Sequence, residues 1–70
     1  MFNRRPPVLL NRQILVNLQS GNAIAGVCTL ETRTAVVLRG ATVHTTDSDP
    51  APADGEVLID RASIDFIQML

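Results

Sequence analysis

Seventy residues make one domain at most, and a chain this short buries a modest fraction of its unfolded surface, so its stability is marginal and a disulfide, a metal or a partner subunit is the usual support. Its single cysteine, Cys28, excludes an internal disulfide, and one histidine beside it is too few for a four-ligand zinc site, which leaves oligomerisation as the remaining support. The formal net charge of −1 gives the chain as a whole no pull toward nucleic acid, and no segment reaches the roughly 18 consecutive apolar residues of a membrane span.

Residues 1–12 read as an N-terminal arm. Pro6 and Pro7 stop a helix from running through and hold the preceding residue extended, with room for one helical turn over residues 8–12. The start is basic and then briefly apolar, but Asn11, Arg12 and Gln13 end the apolar run too early for a secretory signal. A cytoplasmic product is expected, and the lone thiol fits a reducing compartment.

Residues 13–70 read as one all-β domain. Gln13–Leu18 alternates, with Ile14, Val16 and Leu18 on one face and Leu15 and Asn17 on the other, the pattern of a half-buried strand. Gly21 and Asn22 tolerate positive φ and mark a turn. Residues 23–30 return as a second strand with Ile24, Gly26, Cys28 and Leu30 on one face, and Gly26 marks a bend, a bulge or a close backbone approach. Glu31, Thr32 and Arg33 form a polar turn. Residues 34–39 and 41–45, interrupted by Gly40, are one long bent strand or two short ones in series. The acidic, proline-bearing stretch 46–54 is a loop, and residues 55–60 form a fourth strand. After a tight connection at residues 61–63, Ile64–Met69 is a fifth strand, with Ile64 and Phe66 on one face and Ile67 and Met69 on the other. A strand apolar on both faces invites another chain along its edge. With only Phe2 and Phe66 aromatic, the core must be built from Val, Ile, Leu and Ala. The six basic residues are all arginine, a bias of the kind GC-rich genomes give, and it is read as such and not as function.

Five short strands without a long amphipathic helix give a small barrel or sandwich. Two segments go further. Gly21 and Gly26 keep the spacing of the first signature segment of Sm-like proteins, and Leu38 and Ala41 match the leucine and alanine that follow it. Ile59 and Ile64 match the paired isoleucines of the second segment. Over residues 13–69 the chain thus resembles the Sm-like family, and the resemblance implies a strongly bent five-stranded barrel that assembles into rings. An SH3-like barrel has nearly the same strand pattern.

The departures fall where the family holds RNA. The aspartate and uridine-binding asparagine of the first segment correspond to Glu31 and Ala35, and the arginine and glycine of the second to Asp60 and Arg61. Alanine offers no hydrogen bond to a base edge, an aspartate repels phosphate, and no aromatic stands near these loops to stack a base. Arg33 and Arg61 remain as candidate nucleic-acid contacts lining a pore. An RNA-binding ring of the chaperone type is therefore the alternative and not the first reading.

Other chemistry is sparse. His44 has no nucleophile or carboxylate in a recognisable motif and reads as a strand-end residue; Cys28, on an apolar face, reads as a buried small side chain. Asp47, Asp49 and Asp54 lack the ligand series and closing glutamate of a calcium loop. Arg4 and Arg5 make either a frayed terminus or an arm that grips a partner. No P-loop, dinucleotide fingerprint or triad motif occurs, so no enzyme activity and no metal or other cofactor is expected.

The expectation is a structural subunit whose partners are itself and a larger protein assembly, without a membrane. Its closing segment also resembles small Sm-like proteins encoded by phages of GC-rich actinobacteria, which implies a minor virion component of head or tail, made in the cytoplasm. Self-association is expected by strand addition, Ile64–Met69 of one copy pairing near residues 41–44 of the next. That places Ala41, Val43, Ile64, Phe66, Ile67 and Met69 at the interface, and Ile67→Asp should break it.

Overall fold

The computed structural model describes residues 8–70. The expectations placed on Arg4, Arg5, Pro6 and Pro7 lie outside the described residues. Five antiparallel strands form one sheet: β1 (Gln13–Leu18), β2 (Ala23–Glu31), β3 (Ala35–His44), β4 (Ala51–Asp60) and β5 (Ile64–Met69), in the order β4-β3-β2-β1-β5. The tight connection before β5 is a single 3-10 turn, Arg61–Ser63, capped by the Asp60 side chain on the Ala62 N–H.

β1 has the alternation expected of it: Ile14 and Val16 are fully buried, and Leu18 packs against the same core. Residues 35–44 form one continuous strand through Gly40. β4 starts at Ala51, so residues 51–54, expected as loop, are strand. Pro52 is tolerated there because β4 is an edge strand, and one row of its N–H groups has no partner to lose.

Four register shifts account for the other departures, since each extra residue in one strand reverses the in–out alternation beyond it. Thr29 is extra between the pairs Cys28–Leu38 and Leu30–Val37, which turns Leu30 away from the Cys28 face and leaves it exposed. Asp65 is extra between Asn17–Phe66 and Leu18–Ile64. Ile64 therefore packs on the core together with Ile67, while Phe66 lies on the opposite face; the expected pairing of Ile64 with Phe66 fails for that reason.

The remaining two shifts meet at one place. Gly26 faces both Gly40 and Ala41, and Gly40 faces both Asp54 and Gly55. Gly40 and Gly55 take φ of 61° and 73°, a region that side chains disfavour. Gly26 answers a different need: a Cβ there would stand 3.1 Å from the Arg39 carbonyl oxygen and 3.2 Å from the Leu38 Cβ.

The core is aliphatic, as the composition requires: Ile14, Val16, Ile24, Val36, Leu38, Ala41 and Ile59 close around Cys28. Leu9 joins them, so the end of the segment read as an arm packs on the domain. Residues 8–12 form a turn and not a helical one: Arg12 N–H donates to the Leu9 carbonyl at 3.0 Å, and Asn11, at φ 64°, donates to Cys28 O at 2.7 Å.

Candidate assembly edges and the arginine-bearing end

A sheet of this order has two open edges, β4 and β5. β5 is the edge its apolar composition suggests. The segment expected to receive it is not: Ala23, Ile24 and Ala25 pair with His44, Val43 and Thr42 on one side of β3, while Ala53, Pro52 and Ala51 pair with Ala41, Thr42 and Val43 on the other. Residues 41–44 thus have no free edge, Ala41 is a core residue, and Val43 packs on the core. The open edge in that half of the sheet belongs to β4.

The two edges differ in how much of their length can accept a strand. On β4, Pro52 and the irregularity at Asp54–Gly55 interrupt the backbone, leaving residues 56–60 regular. On β5, the extra residue Asp65 interrupts the start, leaving residues 66–69 regular. Of the four interface candidates on β5, Ile64 and Ile67 are half-buried against the core; Phe66 and Met69 are about half exposed, at 53% and 48%. Leu58, on the regular part of β4, is the most exposed large apolar side chain among the described residues, at 70%. Sequence reasoning passed it over because its neighbours Val57 and Ile59 carry the core-facing alternation.

The structure brings the β2–β3 turn and the 3-10 turn together, and with them Arg33 and Arg61. Thr32 Oγ1 accepts from the Ala35 N–H at 2.9 Å and closes the first turn. Arg61 ties the second to it: its N–H donates to Thr34 O at 2.8 Å, its Nε to Thr32 O at 2.7 Å, and its Nη2 lies 3.4 Å from Glu31 Oε1. Arg33 is exposed, but Arg61 spends its guanidinium on its own fold. Asp60 spends a carboxylate oxygen on the Ala62 N–H at 3.1 Å. At position 35 a methyl group stands beside a backbone already engaged with Thr32.

Cys28 is fully buried, its Sγ donating to Leu30 O at 3.4 Å, and burial pushes its thiol pKa up. His44 ends β3, as read from the sequence. Asp47 and Asp49 are exposed in the β3–β4 loop, while Asp54 lies within β4. Among the described residues no cluster of three or more His, Cys, Asp or Glu side chains is placed to hold a metal ion, and no helix is long and apolar enough to cross a membrane.

Comparison with protein-family models gives no match to this chain, and comparison with curated proteins gives none either.

Proposed function

We propose that this chain is a non-enzymatic structural subunit of Sm-like type that self-associates by strand addition and serves a larger assembly, as a minor virion component of a phage head or tail. The observation that carries the reading is the pair of open edges: β4 and β5 lie at opposite ends of one sheet, and each keeps a regular stretch with exposed apolar side chains beside it, Leu58 on one and Phe66 and Met69 on the other. β5 of one copy adds to β4 of the next. Because the two edges are different surfaces, the contact is head-to-tail, and rotation about one axis closes it into a ring that leaves no edge open. The meeting of Gly26, Gly40 and Gly55 at one line across three strands supports a sheet bent there, as an Sm-like or SH3-like barrel requires.

The arginine-bearing end supports a protein partner over RNA. Arg61 is engaged by Glu31 and by Thr32, and Asp60 stands next to it. The deciding experiment is native mass spectrometry of the full chain, alone and with uridine-rich and adenine-rich oligonucleotides. A discrete closed oligomer that ignores both oligonucleotides at moderate salt is the expected result. A ring that retains RNA transfers the function to the chaperone class, and a monomer at micromolar concentration sinks self-association.

A further inference from the structure

β4 turns a row of free backbone groups to its open side, and the hydrogen bonds at its end fix which residues own them. Arg61 N–H donates to Thr34 O at 2.8 Å, one step beyond the pair Ala35–Asp60. Bonded and non-bonded pairs alternate in an antiparallel ladder. Ile59 and Val57 therefore direct their N–H and C=O groups to β3, and Glu56, Leu58 and Asp60 direct theirs outward. Ala35, across from Asp60, agrees: its C=O accepts from the Thr32 N–H and its N–H donates to Thr32 Oγ1, both at 2.9 Å and both on the β2 side. Val57 and Ile59 pack on the core, so the side chains of Glu56, Leu58 and Asp60 share the opposite face. Leu58, 70% exposed, stands between two exposed carboxylates.

An exposed leucine on a regular edge invites the same edge of a second copy. Two β4 strands related by a two-fold axis pair antiparallel, and free backbone groups must meet free backbone groups. With Leu58 at the axis, Leu58 meets Leu58 of the second copy, and Glu56 meets Asp60 on both sides of it. Such paired Cα atoms stand about 5.5 Å apart, and like charges directly opposite repel. Sliding the pairing one step either way sets two Glu56 or two Asp60 carboxylates diagonal to each other instead. Within the subunit the Glu56 and Asp60 carboxylates meet only neutral donors: Glu56 Oε2 accepts from Thr29 Oγ1 at 3.3 Å and Asp60 Oδ1 from the Ala62 N–H at 3.1 Å, while the ion pair among the described residues is Arg61 with Glu31. Arg39 lies across from Glu56 on β3, on the side away from the edge. The regular part of β5, residues 66–69, holds no charged residue.

We propose that Glu56 and Asp60 determine what the β4 edge accepts: they bar a second β4 and leave the edge to an uncharged strand, β5 of the next copy. The barrier stands on the geometry of β4; the identity of the strand admitted rests on the head-to-tail reading.

The test needs β4 free of β5. Leu70 N–H donates to Gln13 O at 3.0 Å, one step beyond the pair Ile14–Met69, so the Met69 N–H faces the open side of β5. Met69→Pro removes that donor without touching the β1 ladder. In the full chain carrying Met69→Pro, a nitroxide on Leu58→Cys reports the β4–β4 contact, Cys28 being buried. Labels side by side across a two-fold joint broaden each other's spectrum. The expected result is an unbroadened spectrum at every concentration with Glu56 in place. Adding Glu56→Arg sets opposite charges across the joint. Broadening should then appear, with the association constant raised at least about tenfold and the gain lost at high salt. Glu56→Gln should fall between. Broadening with Glu56 in place, or none in Glu56→Arg at low salt, overturns the proposal. The mass of the protein with Met69 kept tests the head-to-tail reading separately, so either can fail while the other stands.

Discussion

Glu31 joins both ends of the domain through one carboxylate: Oε1 lies 3.4 Å from Arg61 Nη2, and Oε2 accepts the Leu9 N–H at 3.0 Å. Its side chain is only 15% exposed, so the two bonds are partly shielded from water. Glu31→Ala removes both and should lower stability by about 1–3 kcal/mol, the range for hydrogen bonds to a charged group. Glu31→Gln keeps an acceptor for Leu9 and loses the charge toward Arg61, which is a third exposed; its cost should be below about 1 kcal/mol. Urea denaturation orders the three proteins, and equal midpoints for wild type and Glu31→Ala would remove Glu31 from the account of how Leu9 is held.

Gly26 and Gly40 are both intolerant of a side chain, for opposite reasons. An added Cβ at Gly26 meets backbone and side-chain atoms of β3 at 3.1–3.3 Å, so β2 and β3 must move apart. Gly26→Ala should cost about 1–3 kcal/mol, as overpacking does. At Gly40 nothing stands within 4 Å, but φ is +61°, and Gly40→Ala pays about 1–2 kcal/mol in backbone strain. The substitution Gly40→Asn separates the two causes. Asparagine tolerates positive φ and should recover most of the loss at position 40, whereas Gly26→Asn should be worse than Gly26→Ala. Thermal denaturation of the four variants checks the order.

Strand positions were legible wherever a period of two runs uninterrupted: the limits of β1 and the end of β4 follow from alternation and β-branched residues, whereas at Gly40, where the register shifts, the sequence left one long strand and two short ones equally open. The misplaced side chains trace to bulges. Thr29 and Asp65 look like ordinary strand residues, and nothing local marks them as extra; only pairing with a distant strand decides where the additional residue goes. Leu9 was missed because Val8, Leu9 and Leu10 follow the two prolines as an unbroken apolar run, with no alternation to mark which of them faces the core. That residues 41–44 have no free edge was missed because occupancy of both sides of β3 is a long-range property of strand order. The commitment of Arg61 to Glu31 and to a turn carbonyl depends on side-chain geometry that spacing does not carry.

Cys28 gives a pH dependence of known sign. Burial raises its folded-state pKa above the value in the unfolded chain. Below the unfolded value both states hold the proton and the full stability is present. As pH rises past it, the unfolded state ionises first, and stability falls until the folded pKa is passed. Stability of the wild type should therefore decline above about pH 8.5, the ordinary range of a thiol. Cys28→Ala should lack this decline, after a constant loss of about 1–2 kcal/mol for the vacated volume. With Sγ fully buried, labelling by a thiol reagent should occur only through unfolding and slow as stability rises. A wild-type labelling rate equal to that of a free thiol would contradict the burial of Cys28.

Two neighbouring substitutions on β5 separate folding from assembly. Ile67 packs half-buried against the core opposite Val16, so Ile67→Asp loses apolar contact and partly desolvates a carboxylate, and it should cost about 1–2 kcal/mol, lowering the melting temperature whether or not the protein assembles. Loss of assembly in Ile67→Asp alone therefore says little about an edge. Phe66 pairs with Asn17 on the other face and is half exposed, so Phe66→Asp should leave the monomer folded. If β5 adds to β4 of the next copy, this substitution places a negative charge alongside the neighbour's Glu56 and Asp60, and like charges across strands repel. Phe66→Asp should then retain its circular dichroism and lose its oligomer, and Phe66→Arg should assemble at least as well as Phe66→Asp at low salt and lose that advantage as salt screens the charges. Sedimentation velocity on the three variants is the measurement. An oligomer of unchanged mass in Phe66→Asp would place the contact elsewhere than the β5 edge.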